Sequence, residues 1–239
     1  MLPDVTGATP TYARALAAEA VGTAMLLAAV VGSGIMGERL ASGNVAIALL
    51  ANALATGAAL MALIQTFGPV SGAHFNPAVT VADAVQGGLP WNRVGGYVLA
   101  QVSGAFVGVM AAHLMFSEPL LAASMHERSG AAQVFSECVA TFGLLLVMSG
   151  VSRSHAAGVP FAVAAYIAAA YWFTASTSFA NPAVTLARAF TNTFAGIRPA
   201  DVPGFLCGQV TGALVATVLC RWLEPLRPQP AEENHVSHR

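Results

Sequence analysis

Two stretches of the chain decide its reading. They are Ser71-Gly72-Ala73-His74-Phe75-Asn76-Pro77-Ala78-Val79-Thr80 and, further on, Asn181-Pro182-Ala183-Val184-Thr185. Proline suits the first position of a helix, because it has no N–H to leave unbonded and its φ is already set. Asparagine just before it is a favoured N-cap. Each Asn-Pro therefore predicts the start of a helix. The first runs over 76–86, where Gly87-Gly88-Leu89-Pro90 ends it, and the second over 181–191. About ten residues give about 15 Å of helix, which is half of a hydrocarbon core about 30 Å thick. Two such helices entering from opposite sides and meeting at their N-termini make one spanning length.

The surroundings of both stretches are apolar. Runs long enough to cross a bilayer lie near 13–36, 44–67, 92–116, 132–151, 157–177 and 202–223. The first follows Arg14, is too long for a signal-peptide core and has another span directly behind it, so it reads as a true span. Composition agrees: 56% of residues are hydrophobic and 9% charged, against about 25% charged in soluble domains. A net charge of -1 argues against a nucleic-acid partner, and none is expected. Cys138, Cys207 and Cys220 read as small buried hydrophobes. No nucleophile–base pair, metal cluster or phosphate loop is present, so neither an enzyme, a metal site nor a cofactor is expected.

The chain repeats itself in order. Glu19-Ala20-Val21-Gly22-Thr23 matches Glu137-Cys138-Val139-Ala140-Thr141, the two Asn-Pro-Ala-Val-Thr stretches are identical, and Gln101-Val102-Ser103-Gly104-Ala105 matches Gln209-Val210-Thr211-Gly212-Ala213. The organisation read from this is a short tail (1–11), a first repeat (12–116), a connecting loop (117–131), a second repeat (132–223) and a disordered tail (224–239). Each repeat holds three spans, an odd number, so the second enters the membrane from the other side. The repeat is inverted, and such repeats place their solute path where broken helices meet near the midplane. The fold expected is an all-α membrane protein of six transmembrane helices plus two re-entrant half-helices. A slight excess of Arg on the terminal side places both termini in the cytoplasm, across a bacterial inner membrane.

The meeting point has defined chemistry. Helix N-termini carry partial positive charge, and Asn76 and Asn181 add side-chain N–H donors. The non-helical segments 71–75 and 176–180 bring backbone carbonyls to membrane depth, which is tolerated only along a polar path. A narrow hydrogen-bonding pore that disfavours cations follows.

These residues resemble the major intrinsic protein family, the aquaporins and aquaglyceroporins, over about 12–223. The resemblance implies an aquaporin-like fold and a homotetramer in membrane lipid with one pore per subunit. It makes Asn76, Pro77, Ala78, Asn181, Pro182 and Ala183 the central pore motifs. Gly72, Ala73, His74, Thr177, Phe179 and Ala180 become lumen-lining backbone. It also makes Glu19 and Glu137 buried structural acids that accept hydrogen bonds from the re-entrant loops.

One departure stands out. The family's usual filter Arg, three residues after the second Asn, is Val184 here. Counting from the motifs puts the other filter positions at Thr56, Ala169 and Ser178, none of them aromatic or charged. The filter expected is wide and without a fixed positive charge. That pattern is similar to bacterial aquaglyceroporins associated with arsenic-resistance genes, and implies passage of glycerol-like polyols, metalloid hydroxides such as arsenite, and water. The competing readings are a water-selective channel and a proton-coupled transporter using Glu19 or Glu137. Arg188, one turn beyond Val184, is expected at the rim or against lipid headgroups, with a displaced charge in the vestibule as the other reading. His126, Glu127 and Arg128 read as a solvated loop, and His235 and His238 as too sparse for a metal.

Overall fold

The structure is a computed structural model and describes residues 10–223. Residues 1–9 and 224–239, and with them most of the two expected tails, lie outside the described residues. Six long helices form: α1 (Tyr12–Leu40), α2 (Val45–Ser71), α4 (Trp91–Phe116), α5 (Ala131–Ser154), α6 (Val159–Phe173, entered by a 3-10 turn at Ala156–Gly158) and α8 (Val202–Leu223). Two short ones, α3 (Pro77–Val85) and α7 (Pro182–Arg188), follow the Asn-Pro pairs. All six long elements are long and apolar enough to cross a membrane.

The first two spans run four residues further than expected, to Leu40 and Ser71, and two elements stop short. The span expected over 157–177 stops at Phe173, because Thr177 and Ser178 adopt left-handed backbone with φ of 60° and 51°. The half-helix expected over 181–191 ends at Arg188, where the chain folds back and Ile197 N–H donates to the Arg188 carbonyl at 3.2 Å.

The inverted repeat is visible in the contacts. α1 packs on α4 as α5 packs on α8, and each half-helix lies against both α4 and α8. In lipid there is little hydrophobic gain from bringing helices together, so close backbone approach and dispersion hold them. Glycines at matched positions allow it. A Cβ on Gly104 would collide with the Ala20 carbonyl of α1, and one on Gly212 with the Cys138 carbonyl of α5. The core is built from these paired crossings, with the half-helices and their loops inside them.

Candidate functional site

The two half-helices meet N-terminus to N-terminus, and the asparagines fasten them reciprocally. Asn76 Oδ1 accepts from Ala78 N–H at 2.9 Å, capping α3, while its Nδ2 donates to the Ala180 carbonyl at 2.8 Å. Asn181 Oδ1 accepts from Ala183 N–H (3.0 Å) and Val184 N–H (3.3 Å), while its Nδ2 donates to the Phe75 carbonyl at 2.8 Å. Each amide nitrogen carries two hydrogens, so one per asparagine remains for the cavity that both line.

The segments before each asparagine are strained. Ala73 and Phe75, then Thr177, Ser178 and Ala180, are non-glycine residues with φ between 48° and 60°. Each costs on the order of 1–2 kcal/mol. Two buried glutamates hold this backbone. Glu19, from α1, accepts from Ser71 Oγ (2.6 Å), His74 N–H (2.9 Å), Phe75 N–H (2.7 Å) and Gln101 Nε2 (2.8 Å). Glu137, from α5, accepts from Phe179 N–H (2.8 Å), Ala180 N–H (2.9 Å) and Gln209 Nε2 (2.6 Å). Gln101 and Gln209 also donate to Thr80 and Thr185 of the half-helices, each at 2.8 Å. With the loop N–H groups turned to the glutamates, the Phe75 and Ala180 carbonyls accept from the asparagines, and those of His74 and Phe179 are left for the lumen.

A cavity of about 100 Å³ runs past this junction. A single water needs on the order of 10–15 Å³ of such space, so a file of several fits. Its lining includes both asparagines and the loop residues Gly72 to Phe75 and Ser178 to Ala180. Aliphatic side chains complete it, Leu26, Leu60, Leu144, Val163 and Ile167 among them. At one end His74 Nδ1 lies 3.2 Å from Thr80 Oγ1, with Nε2 3.7 Å from Asp83.

The other end departs from the sequence-based filter. Thr56, Ser178 and Val184 line the cavity as expected, but Ala169 does not. Ala169 is exposed on the outside of α6, whereas Ile167 and Tyr171 line the lumen. Counting back from Asn181 misses the face because residues 174–180 are not helical. Tyr171 Oη lies 3.2 Å from Thr56 Oγ1. Phe179 and Arg188 also line the cavity, so its lining is neither free of aromatics nor free of charge. Arg188 is not at the rim: it is 2% exposed.

The α4–α5 loop is also more than a solvated connection. Arg128 is buried, with Nε donating to the Gly196 carbonyl at 2.8 Å and Nη1 to the Ser176 carbonyl at 3.1 Å. Its backbone N–H donates to Asp201 at 2.8 Å. His126 is open to solvent on one side. Burial of its other side, with the charges of Arg128 and Arg188, holds its imidazole below the usual value. Of the residues forming this end, Tyr171 carried no sequence signal beyond its place in an apolar span, and Arg128 none beyond its charge.

Reciprocal half-helices around a lumen, inside an inverted repeat of six spans, define a membrane channel. Comparison with known proteins agrees. The sequence model of the family described as "Major intrinsic protein" matches residues 7–158. The Aquaglyceroporin AqpS of Rhizobium meliloti is 55% identical over 216 residues, covering 90% of this chain and 92% of that protein. Aquaporin NIP1-1 of Zea mays is 34% identical over 148 residues, 61% of this chain and 51% of that one. The X-ray structure of the aquaglyceroporin from Plasmodium falciparum superposes with a TM-score of 0.71 at 22% identity, covering 89% of this chain and 95% of that one. The chain belongs to the major intrinsic protein family. It is an integral membrane channel for water or small solutes and not an enzyme.

Proposed function

We propose that the channel passes water and small uncharged hydroxylated solutes passively, glycerol-like polyols and metalloid hydroxides such as arsenite among them. The observation that carries this reading is the mixed polar and aliphatic lining of the lumen. The loop residues and the asparagine N–H groups in that lining match hydroxyls, and its aliphatic side chains match a carbon backbone. Arsenous acid is an uncharged triol, so the same groups serve it. The likeness to a protein named as an aquaglyceroporin supports polyols. Val184 supports a wider passage at its own level, since it is short where the family's arginine is long.

Asn76 and Asn181 are the central donors of this pore. Thr56, Tyr171, Ser178, Val184 and Arg188 form its constriction, and Glu19 and Glu137 brace its loops. The channel sits in a bacterial inner membrane with both termini cytoplasmic, so the constriction faces outward. It assembles as a tetramer with one pore per subunit. A water-selective pore is the second reading, and it draws on Tyr171, Phe179 and Arg188, which narrow that end. Stopped-flow permeabilities of water, glycerol and arsenite in one proteoliposome preparation separate the two. Passage of all three supports the proposal, whereas water alone with glycerol and arsenite at the empty-vesicle rate overturns it.

A further inference from the structure

Arg188 is a charge in the wrong place for a structural residue. It is the largest fully buried side chain described, and no carboxylate lies within ion-pair distance of it among the described residues. An intramembrane charge is expensive and points to function by default. Its contacts use little of its bonding capacity. Nε donates to the Ala195 carbonyl, and the guanidinium carbon lies 3.4 Å from the centre of the Phe179 ring. The terminal nitrogens have no hydrogen-bond partner among the described residues, and the side chain lines the cavity. Arg128 is the contrast. It too lies over Phe179, at 5.0 Å, but its Nε and Nη1 are spent on the Gly196 and Ser176 carbonyls.

Helix geometry explains how Arg188 gets there. Side chains on a helix lean towards its N-terminus, so a long one covers the turn before its own Cα. Arg188 closes α7, whose N-terminus is the Asn181 junction, and four residues back on the same face is Val184. Valine leaves that level open, and the guanidinium reaches back towards it across Phe179. We propose that Arg188 is the charge-selecting residue of the constriction, reaching from one turn further along α7 than the residue whose level it guards. Its free donors offer hydrogen bonds to the oxygen of a passing neutral solute. Its fixed charge, close to a lumen with little water to screen it, repels cations. The inference rests on conduction of neutral solutes, and water flux in the same vesicles shows whether that still holds.

The test uses the purified full-length channel in proteoliposomes, with water, glycerol and methylammonium permeabilities and proton leak measured side by side. Arg188→Gln removes the charge and keeps a donor for the Ala195 carbonyl. The expected result is a rise of roughly tenfold or more in methylammonium permeability or proton leak relative to the water permeability of the same vesicles. The double variant Val184→Arg/Arg188→Val moves the guanidinium back one turn and is expected to exclude methylammonium as the unmodified protein does. Cation exclusion unchanged in an Arg188→Gln channel that conducts water overturns the proposal. If that variant does not fold, the double variant decides alone: folded, water-conducting and cation-tight supports the proposal, and folded but leaky overturns it. Arg188→Lys, which keeps charge in Nζ, should stay tight, and leakage from it at the level of Arg188→Gln would contradict a charge barrier.

Discussion

Replacing Glu19 by Gln separates bracing from proton carriage. In the structure four donors converge on the carboxylate: Ser71 Oγ and His74 N–H on Oε1, Phe75 N–H and Gln101 Nε2 on Oε2. The amide of Glu19→Gln can accept on one side only. With its oxygen in the Oε2 position, the Ser71 hydroxyl can turn to accept, but the His74 N–H then faces another N–H. One buried orphan donor costs about 1–3 kcal/mol, and the remaining bonds lose the strengthening given by an ionised acceptor, about 1 kcal/mol each. The total is about 3–5 kcal/mol, and Ala73 and Phe75 lose part of what holds them in left-handed backbone. Thermal unfolding in detergent should fall by roughly 10 °C. Water and glycerol permeability in proteoliposomes should fall together, since the loop shapes the lumen for both. A variant as stable as the parent that still conducts water, but has lost solute accumulation driven by a pH gradient, would refute the bracing argument and make Glu19 a proton carrier.

Other predictions follow from the same geometry. Asn76→Asp keeps the cap on α3 but loses the donor to the Ala180 carbonyl and adds a negative charge to the junction; methylammonium or proton leak should rise, and an unchanged leak would remove the junction from cation exclusion. Gly104→Ala drives a methyl group into the Ala20 carbonyl, so overpacking should cost about 1–3 kcal/mol or more, read as a lowered unfolding temperature; no change would mean that α1 and α4 can separate freely. Val184→Arg adds a second guanidinium beside Arg188 and should reduce glycerol and arsenite flux more than water flux, whereas equal loss of all three would deny Val184 a role in size selection.

The central pore was legible because it is written twice. Two identical Asn-Pro stretches, each accompanied by a Glu and a Gln at matching places, announce two equivalent loops, and the structure gives Glu19–Gln101–Thr80 and Glu137–Gln209–Thr185 the same connections. The constriction was written once and was harder to read. Helix α6 is apolar on all sides, so nothing in its pattern distinguishes the lumen face of Ile167 and Tyr171 from the outer face of Ala169. Counting from Asn181 fails across a loop whose left-handed residues change the rise per residue. Arg188 looks like a rim charge and Arg128 like part of a solvated loop, because local sequence says nothing about the fold-back that covers them. That cover depends on long-range bonds, such as Arg198 N–H to the His126 carbonyl at 2.7 Å and Ser124 N–H to the Ala189 carbonyl at 2.9 Å.

The most direct test of the whole account is the dependence of glycerol flux on concentration in proteoliposomes, with and without an imposed pH gradient. A passive pore predicts flux proportional to the glycerol gradient, no saturation over the range that vesicles tolerate, and an internal concentration that stops at the external one whatever the pH difference. Flux that saturates sharply, or glycerol that accumulates above its external concentration when protons flow inward, would contradict it.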